Sequence, residues 1–249
     1  MTTEDDHQHV SRETMTNDEL WLYTLCKKNG VSITDIDIAL LTQYRKLLLE
    51  WNKKINLVSR KNEENIWRGH ISLSLTMLFK IVFRNGSRIL DLGTGGGFPG
   101  IPLAILLPEC SFVLLDSTQK KISAVQSMAE SLALKNVLTV WGRAEEIQKQ
   151  PSFSRSFDVV VARSVSSLSN LIIWGIPFLK NETGRNTMAE KLSLSVPSLI
   201  TFKGAEIEEE EKTAQKVFPN IAFTSVPLVF PGSEVFENLD KKLIIATAR

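Results

Sequence analysis

Asp91 and four glycines, at positions 93, 95, 96 and 97, lie within seven residues of the stretch ILDLGTGGGFPGIPLAILLP, residues 89–108. An apolar run precedes the glycines and a second one follows them, which is typical of a strand, a tight turn and the start of a helix. Glycine tolerates positive φ and lets a ligand approach the backbone closely. The stretch therefore predicts a loop that holds a nucleotide-like ligand at the end of a strand.

The carboxylate of Asp91 distinguishes between two classes of nucleotide-like ligand. The pattern Gly95-x-Gly97-x-x-Gly100 satisfies the dinucleotide motif, so a nucleotide-dependent oxidoreductase stays open as an alternative. A carboxylate at the strand end would repel the pyrophosphate of NAD or FAD, whereas S-adenosylmethionine has no phosphate and carries an ammonium, a ribose diol and a sulfonium. The run Asp91-x-Gly93-x-Gly95-x-Gly97 thus favours a class I methyltransferase that uses S-adenosylmethionine.

Two further strand ends carry groups that suit the same ligand. The run SFVLLD ends in Asp116, whose carboxylate can accept hydrogen bonds from a ribose diol. The next strand is followed by GRAEE, where the backbone near Ala144 and the side chain of Glu145 are placed to meet an adenine edge. Ligands of open α/β sheets bind where strand ends converge, so we expect these residues to share one crevice.

Short β-type runs alternate with helical stretches from residue 87 onward. Five crossover strands are predicted at 88–92, 111–116, 136–141, 157–162 and 198–204. The runs 221–230 and 241–248 lack a convincing helix between them and predict an antiparallel edge hairpin. The predicted fold is α/β: a Rossmann-like class I methyltransferase with a mostly parallel seven-stranded sheet and an N-terminal helical extension.

Composition bounds the organisation of the chain. It has 249 residues, 43% apolar, with a formal net charge of +1. We predict a disordered tail at 1–16, a helical region at 17–84 and the methyltransferase domain at 85–249. Two cysteines without metal-site spacing and a polar N-terminus without an apolar signal segment favour a cytoplasmic protein that does not enter a membrane.

The acceptor is constrained by what the chain lacks. Neither Cys26 nor Cys110 lies in the sequence context of a nucleophilic thiol. Methyltransferases that act on the amino group of adenine or cytosine carry a characteristic motif after the fourth strand, and the stretch found there, FDVVVARSVSSL, lacks it. No catalytic base or metal cluster is evident in the sequence. An acceptor that is already nucleophilic fits best, and guanine N7 needs no proton removed. Catalysis would then be proximity and alignment, with no catalytic side chain.

The basic residues are unevenly distributed. Residues 40–90 hold ten lysines and arginines against three glutamates, a local net charge of +7, which suits RNA phosphates. An ordinary solvated helical surface is the alternative for this segment. Arg143, Arg163 and Lys203 follow the third, fourth and fifth strands, where a cation can hold a phosphate or the guanine O6 edge. Arg163 has a second possible partner, the methionine carboxylate.

Five stretches together resemble the bacterial glucose-inhibited division protein B family, from about residue 20 to the C-terminus. They are WNKKINLVS, DLGTGGGFPGIPLAI, LLDSTQKK, GRAEE and FDVVVARSVSSL. The resemblance implies a guanine-N7 methyltransferase of 16S, small-subunit, ribosomal RNA, acting on naked RNA or on small-subunit particles, and we expect a monomer. A non-catalytic RNA-binding module of the same fold is the remaining alternative.

The resemblance also implies site residues. Gly93, Phe98, Ala144, Glu145 and Arg163 match cofactor-binding positions, beside Asp91, Gly95 and Asp116 from the chemical argument. The predicted RNA-binding residues are Lys53, Lys54, Arg60, Lys61, Arg143 and Lys203. The chain departs from the family pattern at Leu73, where an aspartate is common, at Lys241, where an arginine is common, and over the longer stretch 180–197.

Overall fold

The computed structural model describes residues 15–182, 186–188, 191–194, 196–204, 206–235 and 241–248. Most of the predicted N-terminal tail, residues 1–14, therefore lies outside the described residues. Thr16 begins the ordered helices: its side chain accepts from the Glu19 N–H, and the Glu19 carboxylate accepts from the Thr16 N–H in return. This reciprocal capping box satisfies two of the unpaired donors at the helix start.

The first part of the chain is helical. The α-helices are α1 (Asn17–Lys28), α2 (Asp35–Asn52) and α3 (Leu73–Lys80). Thr34 caps α2 with a second capping box through Asp37. Between α2 and α3 lie a 3-10 turn, Arg60–Asn62, and a π-helix, Ile66–Ser72, which the apolar spacing does not reveal.

A seven-stranded sheet forms the centre of the molecule. Its strands are β2 (Arg88–Leu92), β3 (Ser111–Asp116), β4 (Val137–Trp141), β5 (Val159–Arg163), β8 (Ser198–Gly204), β9 (Ile221–Pro227) and β10 (Lys241–Ala248). The order is β4-β3-β2-β5-β8-β10-β9. The first five strands are parallel, and β10 is antiparallel to both β8 and β9. The predicted fold class is confirmed, with β9 as the edge strand and β10 inside the sheet.

Helices connect the strands on both faces. They are α4 (Gly100–Leu106), α5 (Gln119–Ser131), α6 (Ala144–Ile147), α7 (Leu168–Gly175) and α8 (Glu208–Val217). Helix α7 ends at Gly175, after which the chain tightens into a 3-10 turn, Ile176–Phe178, that contains Pro177. Proline lacks the N–H that would continue the α-helical ladder.

A small second sheet lies beside the helical region. It joins β1 (Ile81–Val82), β7 (Leu192–Ser193) and β6 (Thr187–Met188) in the order β1-β7-β6. Part of the long 180–197 stretch therefore pairs with the end of the helical region. Among the described residues no helix is both long and apolar enough to cross a bilayer.

The helical region and the sheet share one hydrophobic core. Leu48 from α2, Ile71 from the π-helix and Phe112 from β3 belong to the same cluster of buried side chains. Burial of apolar surface is the main stabilising term in folding, so this shared core fixes the helices against one edge of the crevice. The sequence division at residues 84 and 85 stays a prediction about chain organisation.

Candidate active site

A cavity of about 780 Å³ lies at the carboxyl ends of β2, β3 and β5. One side of its lining comes from the glycine loop, the ends of β3 and β5, and Lys241 at the start of β10. The other side comes from Leu57–Ser59, Asn62, Asn65 and the π-helix with Leu73. Its volume lies within the range of small-molecule sites, roughly 300–1,000 Å³.

The glycine loop is held open by its backbone. The φ angles of Gly93, Gly95 and Gly97 are +75°, +58° and +101°, values that side-chain-bearing residues rarely adopt. A Cβ built on Gly95 meets nothing within 4 Å, so the backbone there faces free space on the cavity side. Behind the loop, the Tyr44 hydroxyl donates to the Gly96 carbonyl at 2.8 Å and ties α2 to it.

Asp91 lies behind the loop and not on the cavity lining. Its Oδ2 accepts from the Thr94 hydroxyl at 2.7 Å and from the Gly100 N–H at 2.9 Å, so it fixes both ends of the turn. Its Oδ1 is buried without a hydrogen-bond partner among the described residues. Burial raises the pKa of Asp91 to about 6, above its ordinary 3.8. At neutral pH the carboxylate places a negative charge directly behind the ligand loop.

Asp116 lines the cavity at the end of β3. Its Oδ2 accepts from the Gly95 N–H at 3.0 Å and its Oδ1 from the Thr118 N–H at 2.8 Å. Each carboxylate oxygen has a second acceptor site, so Asp116 can still take hydroxyl donors from a ligand. The carboxylate thereby links the glycine loop to the start of α5.

Arg163, at the end of β5, is held by two aromatic residues. Its Nη2 donates to the Nδ1 of His70 at 2.8 Å and its Nη1 to the His70 carbonyl at 3.2 Å. The guanidinium carbon lies 4.7 Å from the centre of the Phe98 ring. Burial lowers the pKa of Arg163 to about 10, so it remains a cation at neutral pH. All three residues line the cavity.

The predicted adenine-edge residues lie one strand further out. Ala144 and Glu145 begin α6 after β4, and neither belongs to the described lining of the cavity, nor does Arg143. Gly142, just before them, donates its N–H to the Asp116 carbonyl at 3.1 Å, which ties this turn to the end of β3. Arg143 is exposed. Their roles stay predictions.

Lys203 is engaged within the protein. Its ammonium contacts Oε1 of Glu210 at 2.8 Å and the Ser166 carbonyl at 2.9 Å, and its side chain is 13% exposed. Glu210 also accepts from the Leu168 N–H at the start of α7. Lys203 therefore joins the loop after β5 to α8, and its RNA-binding role stays a prediction.

The predicted basic residues of the helical region cluster beside the cavity. Lys53, Lys54 and Arg60 are exposed on the loop after α2 and line a second hollow of about 480 Å³. Ser59 lines both this hollow and the main cavity, so the two are neighbours. The Lys54 ammonium lies 5.0 Å from the Trp51 ring centre. The side chain of Lys61 lies outside the described residues.

The chemistry of this lining fits S-adenosylmethionine. Asp116 offers a carboxylate to ribose hydroxyls, Arg163 offers a cation to the methionine carboxylate, and the buried Asp91 charge favours a ligand with cationic groups. The pyrophosphate of a dinucleotide would instead lie in front of that buried carboxylate. These features agree with a methyl-donor site at the loop.

Comparison with known proteins gives the family. The family model GidB, described as "rRNA small subunit methyltransferase G", matches residues 37–218. The chain belongs to this family. A protein named "Ribosomal RNA small subunit methyltransferase G" from Chlorobium limicola is 41% identical over 193 residues, covering 78% of this chain and 79% of its own. A protein of that name from Bacteroides fragilis is 43% identical over 166 residues, covering 66% and 73%.

Solved structures support the fold. The Methanococcus jannaschii fibrillarin pre-rRNA processing protein is 13% identical, covers 70% of this chain and 73% of its own, and superposes with a TM-score of 0.50. At that identity the likeness concerns architecture. Family and fold together make S-adenosylmethionine the cofactor. The oxidoreductase and the non-catalytic module gain no support from these comparisons.

Two departures from the family pattern lie on the cavity wall. Leu73 is buried and contributes an apolar side chain at the position where the family resemblance implies an aspartate. Lys241 is half-buried, and burial together with Arg163 lowers its pKa below the ordinary value. Leu73 therefore changes the wall of the helical region and Lys241 the wall of the strand ends, and neither changes the glycine loop.

Sequence reasoning missed several cavity residues. Asn62, Asn65 and Gly69 line the cavity, yet nothing in their spacing marks them. Tyr44 appears in the sequence as one more apolar position of a helix, although it bonds the glycine loop.

Proposed function

We propose that this protein transfers the methyl group of S-adenosylmethionine to N7 of a guanine in 16S, small-subunit, ribosomal RNA. Its membership of the rRNA small subunit methyltransferase G family supports the RNA substrate. Bound S-adenosylmethionine supplies an electrophilic methyl group on its sulfonium. In the proposed complex Asp116 holds the ribose hydroxyls, Arg163 holds the methionine carboxylate, and the glycine loop lies along the rest of the cofactor.

The choice of N7 as the acceptor rests on one observation: the cavity-wall side chains that could remove a proton from a substrate already have hydrogen-bond donors. In the proposed complex the remaining acceptor sites of Asp116 are taken by the ribose hydroxyls, and the Nδ1 of His70 already accepts from Arg163. An amine or hydroxyl acceptor would need a base to remove its proton. Guanine N7 carries a free lone pair and is a hydrogen-bond acceptor in the major groove. Positioning and alignment of the two reactants then suffice for transfer.

The basic loop supports an RNA substrate. Lys53, Lys54 and Arg60 are exposed on the loop that also contributes Ser59 to the cavity. Phosphates bound there would direct an attached nucleotide toward the cavity, because contacts to phosphates set position without reading sequence. We assign Lys61, Arg143 and Lys203 to the same RNA surface on the sequence argument alone. A cytoplasmic monomer stays the expectation from the sequence.

Methyl mapping tests the proposal. Purified protein is incubated with tritiated S-adenosylmethionine and either naked small-subunit RNA or assembled small-subunit particles, and the labelled nucleotide is identified by mass spectrometry. We expect 7-methylguanosine at one position in at least one of the two substrates. Label on an exocyclic amine or a ribose oxygen would contradict the N7 assignment. Thermal stabilisation by NADH, without stabilisation by S-adenosylhomocysteine, would contradict the cofactor.

A further inference from the structure

The cavity wall formed by the helical region carries two free amides. Asn62 and Asn65 line the cavity and are exposed, and their side chains make no hydrogen bond within the described part of the chain. They are neighbours on one turn, because the Asn65 N–H donates to the Asn62 carbonyl at 3.1 Å. Each amide offers two donors and one acceptor oxygen. The two NH2 groups and the two carbonyl oxygens of these side chains are thus available to a ligand.

Asn65 is placed unusually for its residue type. It is the N-cap of the π-helix, a position where asparagine commonly accepts from a helix N–H, but its side chain makes no capping bond. A Cβ built on Gly69 would lie 3.1 Å from the Asn65 Nδ2 and 3.4 Å from its Cγ. The absence of a side chain at Gly69 therefore leaves room for the amide beside the cavity surface.

The other residues of the helical region that line the cavity carry no charge at neutral pH. The same wall presents the Ser59 hydroxyl and the apolar side chains of Leu57 and Leu73, and His70 has its Nδ1 occupied by Arg163. Burial lowers the pKa of His70 to about 4, which keeps its ring neutral at pH 7. A wall of amides and apolar groups suits a neutral base, whereas a phosphate favours the cationic groups of Arg163, Lys241 or the basic loop.

A guanine that presents N7 to the methyl donor turns its other groups away from the donor. The N1–H and the exocyclic N2 amine then face away, with O6 beside N7. One amide can donate to guanine O6 through its NH2 group while its oxygen accepts from N1–H. If the amide group flips by 180°, its oxygen accepts from the adenine N6 amine and its NH2 group donates to adenine N1, so one amide alone does not distinguish the two bases. A second amide oxygen that accepts from the N2 amine removes this ambiguity, because adenine has no amine there.

We propose that Asn62 and Asn65 bind the acceptor guanine through O6, N1–H and the N2 amine, and so select guanine over adenine. This inference rests on the proposed function. It assigns the donor to the wall of the glycine loop and the acceptor base to the wall of the helical region. The two amides are substrate-binding residues with no part in proton transfer.

The test compares two bases in one RNA. An RNA fragment that contains the mapped acceptor is made with guanosine or with inosine at that position, since inosine lacks the N2 amine and keeps N7, O6 and N1–H. With wild-type protein, kcat/KM is expected to be about tenfold lower for the inosine RNA, because one amide oxygen is left without its donor. The double variant Asn62→Ala/Asn65→Ala is expected to lose about tenfold or more on guanosine RNA and to treat both RNAs alike.

Matched variants separate this role from folding. Asn220→Ala, an exposed asparagine on the turn before β9, should leave both rates unchanged. Gly69→Ala keeps the Asn65 amide but crowds it, and should lower kcat/KM on guanosine RNA. S-adenosylhomocysteine affinity should be unchanged in every variant. A double variant that retains the wild-type preference for guanosine over inosine would overturn the inference, as would a parallel loss of S-adenosylhomocysteine affinity.

A third RNA distinguishes failure of the inference from failure of the proposed function. RNA with 7-deazaguanosine at the acceptor position lacks N7 but keeps O6, N1–H and the N2 amine. Methylation of this RNA would remove the N7 assignment. If the N7 assignment fails in this way, the affinities of the guanosine and inosine RNAs for the protein loaded with S-adenosylhomocysteine still measure the contribution of Asn62 and Asn65 to base recognition. In the double variant, an equal loss of the two affinities would reject recognition of the N2 amine, and a larger loss on guanosine RNA than on inosine RNA would support it.

Discussion

Arg163 and His70 form a two-point contact: the guanidinium donates to the ring Nδ1 at 2.8 Å and to the backbone carbonyl at 3.2 Å. Because a guanidinium can only donate, the Nδ1 must carry its lone pair, and the neutral ring holds its proton on Nε2. The contact joins the end of β5 to the π-helix. It therefore sets the distance between the two walls of the cavity.

The first prediction follows from the pKa of His70. Burial, then the charges of Arg163 and Lys241, lower it from 6.5 to about 4. Between these pH values the unfolded chain binds the proton and the folded protein does not, so the free energy of unfolding falls as the pH is lowered from about 6.5 to 4. His70→Asn retains an acceptor oxygen without a titrating ring and should show a shallower fall, measured by urea unfolding at pH 7 and pH 5.

Asp91 provides the opposing control. Its pKa is raised to about 6, so this carboxyl contributes stability that is present below pH 3.8 and lost as the pH rises to about 6. The difference between wild type and His70→Asn cancels the Asp91 contribution, which both proteins share. Parallel stability curves for the two proteins would contradict the role assigned to the imidazole.

The second prediction concerns two glycines of the ligand loop. A Cβ at Gly93 would lie 2.7 Å from a Val165 methyl, whereas a Cβ at Gly95 meets nothing within 4 Å. Gly93→Ala should therefore lower the free energy of unfolding by more than Gly95→Ala, whose cost is the left-handed backbone, about 1–2 kcal/mol. Both should weaken S-adenosylhomocysteine binding in calorimetry. Unchanged binding in Gly95→Ala would move the cofactor away from this loop.

The third prediction concerns the basic loop. The triple variant Lys53→Ala/Lys54→Ala/Arg60→Ala should weaken RNA binding and flatten its dependence on the logarithm of salt concentration, by about 0.7–0.9 per lost phosphate contact. S-adenosylhomocysteine affinity should not change. The control removes the same charge from three exposed lysines elsewhere, Lys135, Lys149 and Lys216. Equal effects of the two triple variants would show that total charge, and not this loop, attracts the RNA.

The fourth prediction separates a structural role of Lys203 from a binding role. Lys203→Met leaves the partly buried Glu210 and the Ser166 carbonyl without their donor, which should cost about 1–3 kcal/mol of unfolding free energy. Lys212→Met breaks the exposed pair with Glu209 and should cost less than about 1 kcal/mol. A stable Lys203→Met variant with a reduced salt slope of RNA binding would show that this ammonium binds RNA without stabilising the fold.

The fifth prediction concerns the pH dependence of methyl transfer. If N7 accepts the methyl group, no side chain has to remove a proton, and the single-turnover rate should be nearly flat from neutral pH to about 8.5, below the ordinary titration of lysine. Saturating RNA and cofactor isolate the chemical step. A log-linear rise with a slope near one would indicate deprotonation of an amine or hydroxyl acceptor.

The fold was predictable because its signals are local. RILDL and SFVLLD form β2 and β3 over the residues expected, and their parallel pairing sets Asp91 opposite Leu114. Crossover connections bring the carboxyl ends of parallel strands to one edge of a sheet, so the approach of Asp116 and Arg163 to the same cavity follows from the strand order. The spacing of the glycines likewise indicated the open loop between β2 and α4.

Tertiary packing decided where individual side chains went. Asp91 was predicted to face the ligand, but it turns behind the loop and bonds Thr94 and Gly100, because its position in β2 directs it there. Lys203 lies on the expected strand, yet α8 brings Glu210 within reach of its ammonium. Neither contact follows from the type of residue alone.

By itself, the amino-acid sequence determined the succession of strands and helices along the chain, the glycine loop and the family pattern, since these depend on periodicity and on spacing along the chain. The second wall of the cavity was decided by the tertiary structure alone. His70 lies 93 residues before Arg163, and Asn65 and Gly69 adjoin the donor loop only because the helical region shares a hydrophobic core with the sheet. Contacts over such separations depend on the packing of whole elements, which no local pattern records.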